Sequence, residues 1–253
     1  MESRTVDESI SEERESVRLE EALFVNYRDG TVLSSFEEGR AVLVGSSGRV
    51  LLGGFGEEID KYDHIFRMNT APTKGFEKFV GSKTDVRIVA FNAVGKIIPL
   101  VEMMRGVKMV FIWGSVDKLK GCLDQVKWGM KRYPNVQFYM ITPYAYQLVV
   151  DQFEKAAGMN LKVAGAWLST GIIGIFLMKE LFGGKFDIIG FGDMKGDGVG
   201  AKLPYHYWKD HLADQSEQGH YMNSQMANVG HRFMTEKMII LRWARECRFK
   251  FLD

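Results

Sequence analysis

Short apolar runs alternate with longer amphipathic stretches along most of the chain. The apolar runs are rich in β-branched and aromatic residues and are bounded by glycine or polar residues, which is typical of buried strands. They predict strands at Ala41–Gly45, His64–Met68, Val86–Phe91, Val107–Trp113, Val136–Ile141 and Phe186–Phe191. Strands that alternate with helices form parallel sheets covered by helices on both faces. The pattern therefore predicts an α/β fold with a mostly parallel central sheet in a single domain.

Two segments predict helices that begin beside a polar residue with possible chemistry. Ser169 or Thr170 is suited to cap a helix that runs to Phe182 and is apolar on nearly every face, so this helix is predicted to be buried. Its N-terminus would present peptide N–H groups to an anion or a sugar hydroxyl. The second helix follows His231 and contains Glu236. Imidazole can accept a proton at neutral pH, so His231 is a candidate general base, with a capping or surface histidine as the alternative.

A glycine loop and an asparagine follow two of the predicted strands. The strand at Ala41–Gly45 leads into Gly-Ser-Ser-Gly at Gly45–Gly48. Glycine lets an anion approach the backbone N–H groups, although the spacing fits neither the dinucleotide fingerprint nor the Walker loop, and a plain tight turn is the alternative. Asn69 can donate and accept at once, which suits a nucleotide ribose or phosphate. The loop, Asn69 and the helix at Ser169 are predicted to meet at the carboxyl ends of the strands.

The remaining histidines and acidic residues give weaker indications. His206 lies among aromatic residues and is either a second functional histidine or a structural one, whereas the other three are predicted to be structural or on the surface: His64, His211 and His220. Asp193 and Asp197 are separated by a glycine-containing segment and are interpreted as part of a mobile loop. Because neither histidines nor carboxylates have the spacing of metal ligands, no metal site is predicted.

Composition limits the class of protein and its partners. The chain has 253 residues, of which 46% are hydrophobic and 26% charged, so it can bury one substantial core. Its formal charge of +1 gives no support for a nucleic-acid partner. No apolar run approaches the ~20 residues that a membrane span needs. Residues 1–21 are dense in Glu, Arg and Ser and are predicted to form a mobile charged tail, which leaves residues 22–253 as the folded domain.

Four segments, in this order, resemble the large, small, third and very small sialylmotifs of the eukaryotic-type sialyltransferases. They lie at Ala41–Thr84, Leu168–Gly192, His206–Trp208 and His231–Glu236. The chain is most similar to the branch that sialylates N-acetylgalactosamine at its 6-hydroxyl. The resemblance implies a single-domain, Rossmann-like glycosyltransferase fold of a GT-A-like variant. It also implies an inverting, metal-independent transfer of sialic acid from CMP-sialic acid to a glycan hydroxyl, α-2,6 to N-acetylgalactosamine or galactose, with no cofactor.

The resemblance also assigns roles to individual residues. His231 matches the base that removes the acceptor hydroxyl proton, and His206 matches the histidine that contacts the departing CMP phosphate. Glu236 matches the last residue of the very small motif, with an orienting or structural role. The positions that match donor binding are Gly45, Ser46, Ser47, Gly48, Asn69, Ser169, Thr170, Gly171 and Tyr207.

The chain departs from the family pattern at the bridging cysteines of the large and small motifs. Ala41 and Phe182 stand at these positions, and the two cysteines of the chain, Cys122 and Cys247, have no framework spacing. This favours a reducing compartment. The family's Golgi anchor is also not among these residues: either an anchor has been removed, or the protein is natively unanchored. The missing motif cysteines favour the second expectation, a soluble form, cytosolic or virus-encoded, that acts on glycoprotein or glycolipid glycans. The glycine loop carries Ser46 where the family commonly has asparagine.

Two other functions remain open from the sequence. The first is a transferase for another CMP-activated acid sugar such as Kdo, because motifs that bind CMP do not specify the sugar. The second is a catalytically silent protein that binds glycans or nucleotides. The presence of both His231 and His206 favours catalysis over silence.

Overall fold

The computed structural model describes residues 21–163, 166–192, 206–208, 233–247 and 250–251. Strands within these ranges form one eight-stranded sheet in the order β1-β6-β5-β4-β3-β2-β7-β8. Every neighbouring pair is parallel except β1 and β6, which are antiparallel. The strands are β1 Phe24–Asn26, β2 Ala41–Val44, β3 His64–Met68, β4 Val86–Ala90, β5 Met109–Trp113, β6 Gln137–Ile141, β7 Asp187–Ile189 and β8 Lys250–Phe251.

The sheet confirms the predicted α/β class and all the predicted strands, some with slightly shorter ends. The two edge strands, β1 and β8, were not predicted. They contain three and two residues respectively, which is too short for a pattern of alternating or continuous apolar positions to stand out. Their pairing with β6 and β7 is decided by contacts between distant parts of the chain.

Helices flank the sheet and supply the predicted buried helix. Their bounds are α1 Gly56–Ile59, α2 Glu77–Val80, α3 Val94–Ile97, α4 Val101–Met104, α5 Val116–Gly121, α6 Leu123–Arg132, α7 Pro143–Ala157, α8 Thr170–Phe182 and α9 Phe233–Cys247. Two 3₁₀ turns lie at Gly48–Leu52 and Phe91–Ala93. The predicted N-terminal tail lies outside the described residues apart from Glu21, so its mobility stays a prediction.

Alternating residues of the strands pack on opposite faces of the sheet. Leu43 packs in the core formed with α7, α8 and α9, whereas Val42 and Val44 pack on the opposite face. Every residue from Ile172 to Met178 of α8 is buried, which confirms the buried helix predicted from its apolar faces. Gly174 brings this helix close to the sheet, because a Cβ there would lie 3.2 Å from the side chains of Ile88 and Leu43.

An aromatic cluster joins the end of α8 to the start of the sheet. The ring of Phe182 lies 5.1 Å from Phe36, 5.9 Å from His64 and 5.7 Å from Phe66 between centroids. Ala41 is buried in the same core and pairs in register with His64. His64 is itself 8% exposed, in agreement with a structural role. The region where the family motifs would place a disulfide is therefore filled by packed rings.

Replacing Phe182 with alanine should lower the free energy of unfolding by about 2–4 kcal/mol, because it removes the central ring of this cluster. Phe182→Leu preserves most of the volume and should cost less than about 1.5 kcal/mol. Urea denaturation followed by circular dichroism measures both values. Dithiothreitol should leave the parent curve unchanged, since Cys122 is a buried free thiol. A Phe182→Ala curve that coincides with the curve of the parent would show that the ring is not a stabilising contact.

Candidate active site

Two glycines allow the ends of β2 and β7 to approach closely. A Cβ on Gly45 would lie 2.1 Å from the carbonyl oxygen of Gly190, and Gly190 has a φ of +77°. The Gly45 N–H donates to Ile189 O at 2.6 Å, and the Ser47 N–H donates to Gly190 O at 3.0 Å. The glycine loop is therefore part of a tight junction at the carboxyl ends of two adjacent strands.

The hydroxyl residues of this loop are half-buried, while Gly45 and Gly48 are buried. Ser47 caps the 3₁₀ turn at Gly48–Leu52, because its Oγ accepts a hydrogen bond from Arg49 N at 3.2 Å. The loop therefore has the predicted tight turn, and its binding of an anion stays a prediction. The cap leaves the Ser47 hydroxyl hydrogen available as a donor.

Asn69 connects the neighbouring strand to the start of α8. Its Nδ2 donates to Thr170 Oγ1 at 3.0 Å, and its Oδ1 accepts from Ala90 N at 2.9 Å. Its backbone has a φ of +43°, in the left-handed region that asparagine adopts more readily than most residues. The predicted meeting of Asn69 with the small-motif helix is therefore present, and it is made by a direct side-chain contact.

Glu236 of α9 holds the other side of the same helix start. The Ser169 N–H donates to Glu236 Oε1 at 2.8 Å, and Ser169 Oγ donates to Oε2 at 2.5 Å. Ser169 Oγ also accepts from Ile172 N, so it caps α8 as its residue type predicts. Gly171 lies beside this cap, where a Cβ would be 3.3 Å from the ring of Phe191. The contacts of Glu236 fit an orienting role.

Burial raises the pKa of Glu236 from 4.5 to about 7, while the two hydrogen bonds from Ser169 act in the opposite direction. Only 3% of the surface of Glu236 is exposed, so the cost of desolvating the charged carboxylate is the largest influence on its pKa. Its protonation near neutral pH is thereby coupled to the cap of α8.

The third motif is tied to the glycine loop and to the loop after β3. The Tyr207 N–H donates to Ser46 O at 3.0 Å, and the Tyr207 hydroxyl donates to Pro72 O at 2.5 Å. Tyr207 is buried, whereas His206 is half-buried and stacks on Trp208 with 4.6 Å between centroids. The structure thus places His206 next to Ser46. The hydroxyl of Tyr207 is engaged inside the protein, and its predicted contact with a donor stays a prediction.

Two buried arginines on β3 and β4, near the carboxyl ends of β2 and β3, were not predicted as site residues from the sequence. Arg67 and Arg87 lie opposite each other on β3 and β4, and Arg87 donates to the carbonyl oxygens of Asn69 and Ala71. A signal was available, because each is a lone charge inside an otherwise apolar strand. Charged residues are almost never fully buried unless they are paired or functional.

Several predicted residues cannot be placed relative to this edge. His231, His211, His220, Asp193, Asp197 and the remainder of 193–205 and 209–232 lie outside the described residues. Within the described ranges, no group of His, Cys, Asp and Glu side chains is arranged to hold a metal ion. None of the helices described combines the length and apolar character that a membrane span requires.

The described part of the site lies at the carboxyl ends of β2 and β3. Backbone N–H groups, hydroxyls and a carboxamide converge there from four segments of the chain. Ligands commonly bind at this edge in open parallel sheets.

Glu236→Gln should remove a pH dependence of stability that the parent shows. The folded-state pKa is raised, so this carboxyl stabilises the fold fully below about pH 4.5 and loses that contribution as the pH rises through about 7. Between about pH 5 and pH 8 the parent should lose on the order of 2 kcal/mol more than the variant, measured by urea denaturation. Glutamine can still accept from Ser169 N and donate to Ser169 Oγ.

Glu246→Gln is the matched control on the same helix. Glu246 is exposed and pairs with Arg242, so its substitution should leave the pH profile of the parent unchanged. The expectation for Glu236 fails if its variant follows the same profile as the parent.

Comparison with known proteins identifies the family. The model of "Glycosyltransferase family 29 (sialyltransferase)" matches residues 32–246. The human alpha-N-acetylgalactosaminide alpha-2,6-sialyltransferase 3 is 29% identical over 219 residues, covering 83% of this chain and 71% of its own. A second human relative is 31% identical over 220 residues, covering 81% of this chain and 70% of its own. It is named alpha-N-acetyl-neuraminyl-2,3-beta-galactosyl-1,3-N-acetyl-galactosaminide alpha-2,6-sialyltransferase.

The fold is similar to that of a solved bacterial sialyltransferase. The structure of CstII from Campylobacter jejuni with a substrate analogue superposes with a TM-score of 0.51 at 10% identity, covering 85% of this chain and 81% of that one. At such low identity the likeness concerns the fold alone, and it agrees with the Rossmann-like arrangement predicted above. The family match spans most of the chain and includes the glycine loop, Asn69, the Ser169 cap and Glu236. It shows that the chain is an enzyme of glycosyltransferase family 29, the sialyltransferases.

Proposed function

We propose that this sialyltransferase transfers sialic acid from CMP-sialic acid to a glycan hydroxyl, with the 6-hydroxyl of N-acetylgalactosamine as the acceptor. The observation that supports the donor site best is the hydrogen bond from Asn69 Nδ2 to Thr170 Oγ1. It brings two donor-binding positions of different motifs together at the carboxyl ends of the strands. The glycine loop and His206 join the same edge through the Tyr207 segment.

The acceptor assignment is supported by the relatives. Both human relatives are named as α-2,6-sialyltransferases of N-acetylgalactosaminides, and the name of one specifies an acceptor that already carries α-2,3-linked sialic acid. The same linkage was expected from the sequence motifs. A sialylated core disaccharide is therefore the acceptor to test first.

The reaction proceeds as a single inverting displacement. His231 accepts the proton of the acceptor hydroxyl while that oxygen bonds to the anomeric carbon of sialic acid. The bond from this carbon to the phosphate oxygen breaks, and CMP leaves with the electron pair. Glu236, which holds the Ser169 cap from α9, ties the segment after His231 to the donor side and acts as a positioning residue.

His206 and the donor groups of the loops stabilise the departing phosphate. Preorganised donors aimed at a developing charge are worth more in a water-excluded site than in solution. The leaving group carries a single phosphate, so an imidazole, hydroxyls and peptide N–H groups suffice for it. The proposed enzyme therefore needs no divalent cation.

A donor and acceptor panel tests this function directly. CMP-sialic acid should be consumed, and mass spectrometry should find sialic acid on the 6-position of N-acetylgalactosamine in a sialylated core disaccharide. EDTA should leave the rate within about twofold of its original value, since the leaving group is stabilised by protein donors. Transfer only from CMP-Kdo would replace the donor, and loss of activity in EDTA that manganese restores would overturn metal independence.

Replacing His231 or His206 with alanine should change different kinetic and binding constants. His231→Ala should reduce kcat by roughly 10²–10⁴-fold with little change in the Kd for CMP, because a general base acts on the acceptor. His206→Ala should weaken CMP binding and turnover together, because its contact with the phosphate strengthens as charge develops. His64→Ala, measured at a temperature where it stays folded, is a control outside the site.

Isothermal titration calorimetry with CMP and steady-state kinetics separate these cases. An unchanged rate in folded His231→Ala would remove that residue from the mechanism. A His206→Ala variant that binds CMP and turns over like the parent would remove the phosphate contact.

A further inference from the structure

Two arginines on adjacent strands carry buried positive charge directly below the donor edge. Arg67 of β3 and Arg87 of β4 are partners in the parallel register, with 0% and 2% of their surface exposed. Like charges placed directly opposite each other on neighbouring strands are unfavourable. Burial adds to that cost, since a charge leaves water at a large penalty unless it is compensated.

Carbonyl and hydroxyl oxygens, rather than carboxylates, surround the Arg67 guanidinium. Its Nε donates to Lys83 O and Thr84 Oγ1, each at 3.0 Å, and its Nη2 donates to Val80 O and Lys83 O. Its Nη1 has no hydrogen-bond partner among the described residues. The Arg67 charge is therefore solvated by dipoles and is not neutralised by a contact.

The Arg87 guanidinium is likewise held by carbonyls. Nε donates to Met103 O at 2.6 Å, and Nη1 donates to Asn69 O at 2.8 Å and Ala71 O at 3.3 Å. In the part of the chain that the structure describes, no ion pair joins either arginine to a carboxylate.

Two carboxylates, Asp60 and Asp85, act on the Arg67 charge from a distance and do not contact it. Asp60 accepts hydrogen bonds from the backbone and hydroxyl of Ser82 and from Lys83 N, and Asp85 pairs with Lys108 Nζ at 2.9 Å. Burial lowers the pKa of both arginines to about 10, with Arg67 adding to the effect on Arg87. Both guanidiniums stay protonated at neutral pH, so two positive charges remain without a contacting counterion in this region.

The backbone after β3 directs one free donor away from this pair. Asn69 O faces Arg87, and in a planar trans peptide the N–H of Thr70 points in the opposite direction. The N–H groups of Asn69 and Ala71 donate to Ile88 O and Met68 O, whereas that of Thr70 has no acceptor among the described residues. The left-handed φ of Asn69 sets this orientation, and such backbone outliers cluster at functional sites.

We propose that the Thr70 N–H binds the phosphate of the nucleotide donor and that the buried Arg67–Arg87 pair is the charge that strengthens this contact. The inference rests on the proposed donor site and names the source of its affinity for an anion. The phosphate, rather than the sialic acid carboxylate, is the partner, because the Tyr207 hydroxyl on Pro72 O brings the His206 segment to this same loop. The arginines act through the Asn69 peptide and do not touch the ligand.

Arg87→Gln tests the charge while leaving an amide that can donate to the carbonyl of Asn69. The Kd for CMP should rise about tenfold, as expected for loss of one positive charge several ångströms from the anion, while the Kd for cytidine changes less than about twofold. Arg87→Lys keeps the charge and should retain the parent ratio of the two constants. Arg132→Met removes an exposed arginine at the end of α6 and is the control, with both constants unchanged.

Calorimetry and competition against CMP give the two constants, and thermal melting reports folding. If Arg87→Gln does not fold, Arg67→Gln removes the other charge. The ratio of its dissociation constants for CMP and cytidine then tests the proposal in the same way. Equal weakening of CMP and cytidine, an unchanged ratio, or a loss in Arg87→Lys as large as in the neutral variant would overturn the proposal. An effect seen with CMP-sialic acid but not with CMP would assign the charge to the carboxylate and would also overturn it.

A parent enzyme that binds no CMP would contradict the proposed donor site itself. That outcome is distinct from a parent that binds CMP and variants that leave the ratio unchanged, which would contradict only the role of the arginines.

Discussion

The carboxamide of Asn69 is the contact on which the geometry of the site depends. Its oxygen accepts from the backbone of Ala90 at the end of β4, and its nitrogen donates to Thr170 at the start of α8. Both ends of the amide are therefore assigned, and its orientation is fixed by the protein. A primary amide still has one N–H and one lone pair to spare, so the residue can hold the scaffold and contact a ligand at once.

The start of α8 is held from a second direction by Glu236 across 67 residues of sequence. Thr170 faces Asn69, just after β3, and the cap residue Ser169 faces α9. A shift of α9 would therefore move the cap of α8. Because the very small motif ends at Glu236 within α9, this carboxyl group links the motif directly to the start of α8.

The sequence was sufficient to predict the sheet, the buried helix and the convergence of motifs, because each leaves a local pattern of apolar runs and glycine loops. It was insufficient for the contacts that set the geometry. Nothing near Ser169 indicates that its partner is Glu236, and β1 is too short to be seen without β6 beside it. Arg67 and Arg87 are recognisable in the sequence as charges within mostly apolar strands. Their hydrogen-bond partners are not recognisable, because these are mainly backbone carbonyls, which every residue has.

The two ends of α8 are fixed by different physical means, and this division explains how the fold can do without the motif cysteines. At the carboxyl end, Phe182 packs against Phe36 and Phe66. Such apolar packing tolerates small changes in the position and orientation of the rings. At the amino end, short hydrogen bonds from Ser169 and Asn69 demand specific atoms in specific places. A disulfide at the apolar end would add stability without changing the polar end. Its replacement by aromatic packing therefore leaves the hydrogen bonds at the amino end in place, since they lie about 3.6 turns of helix away.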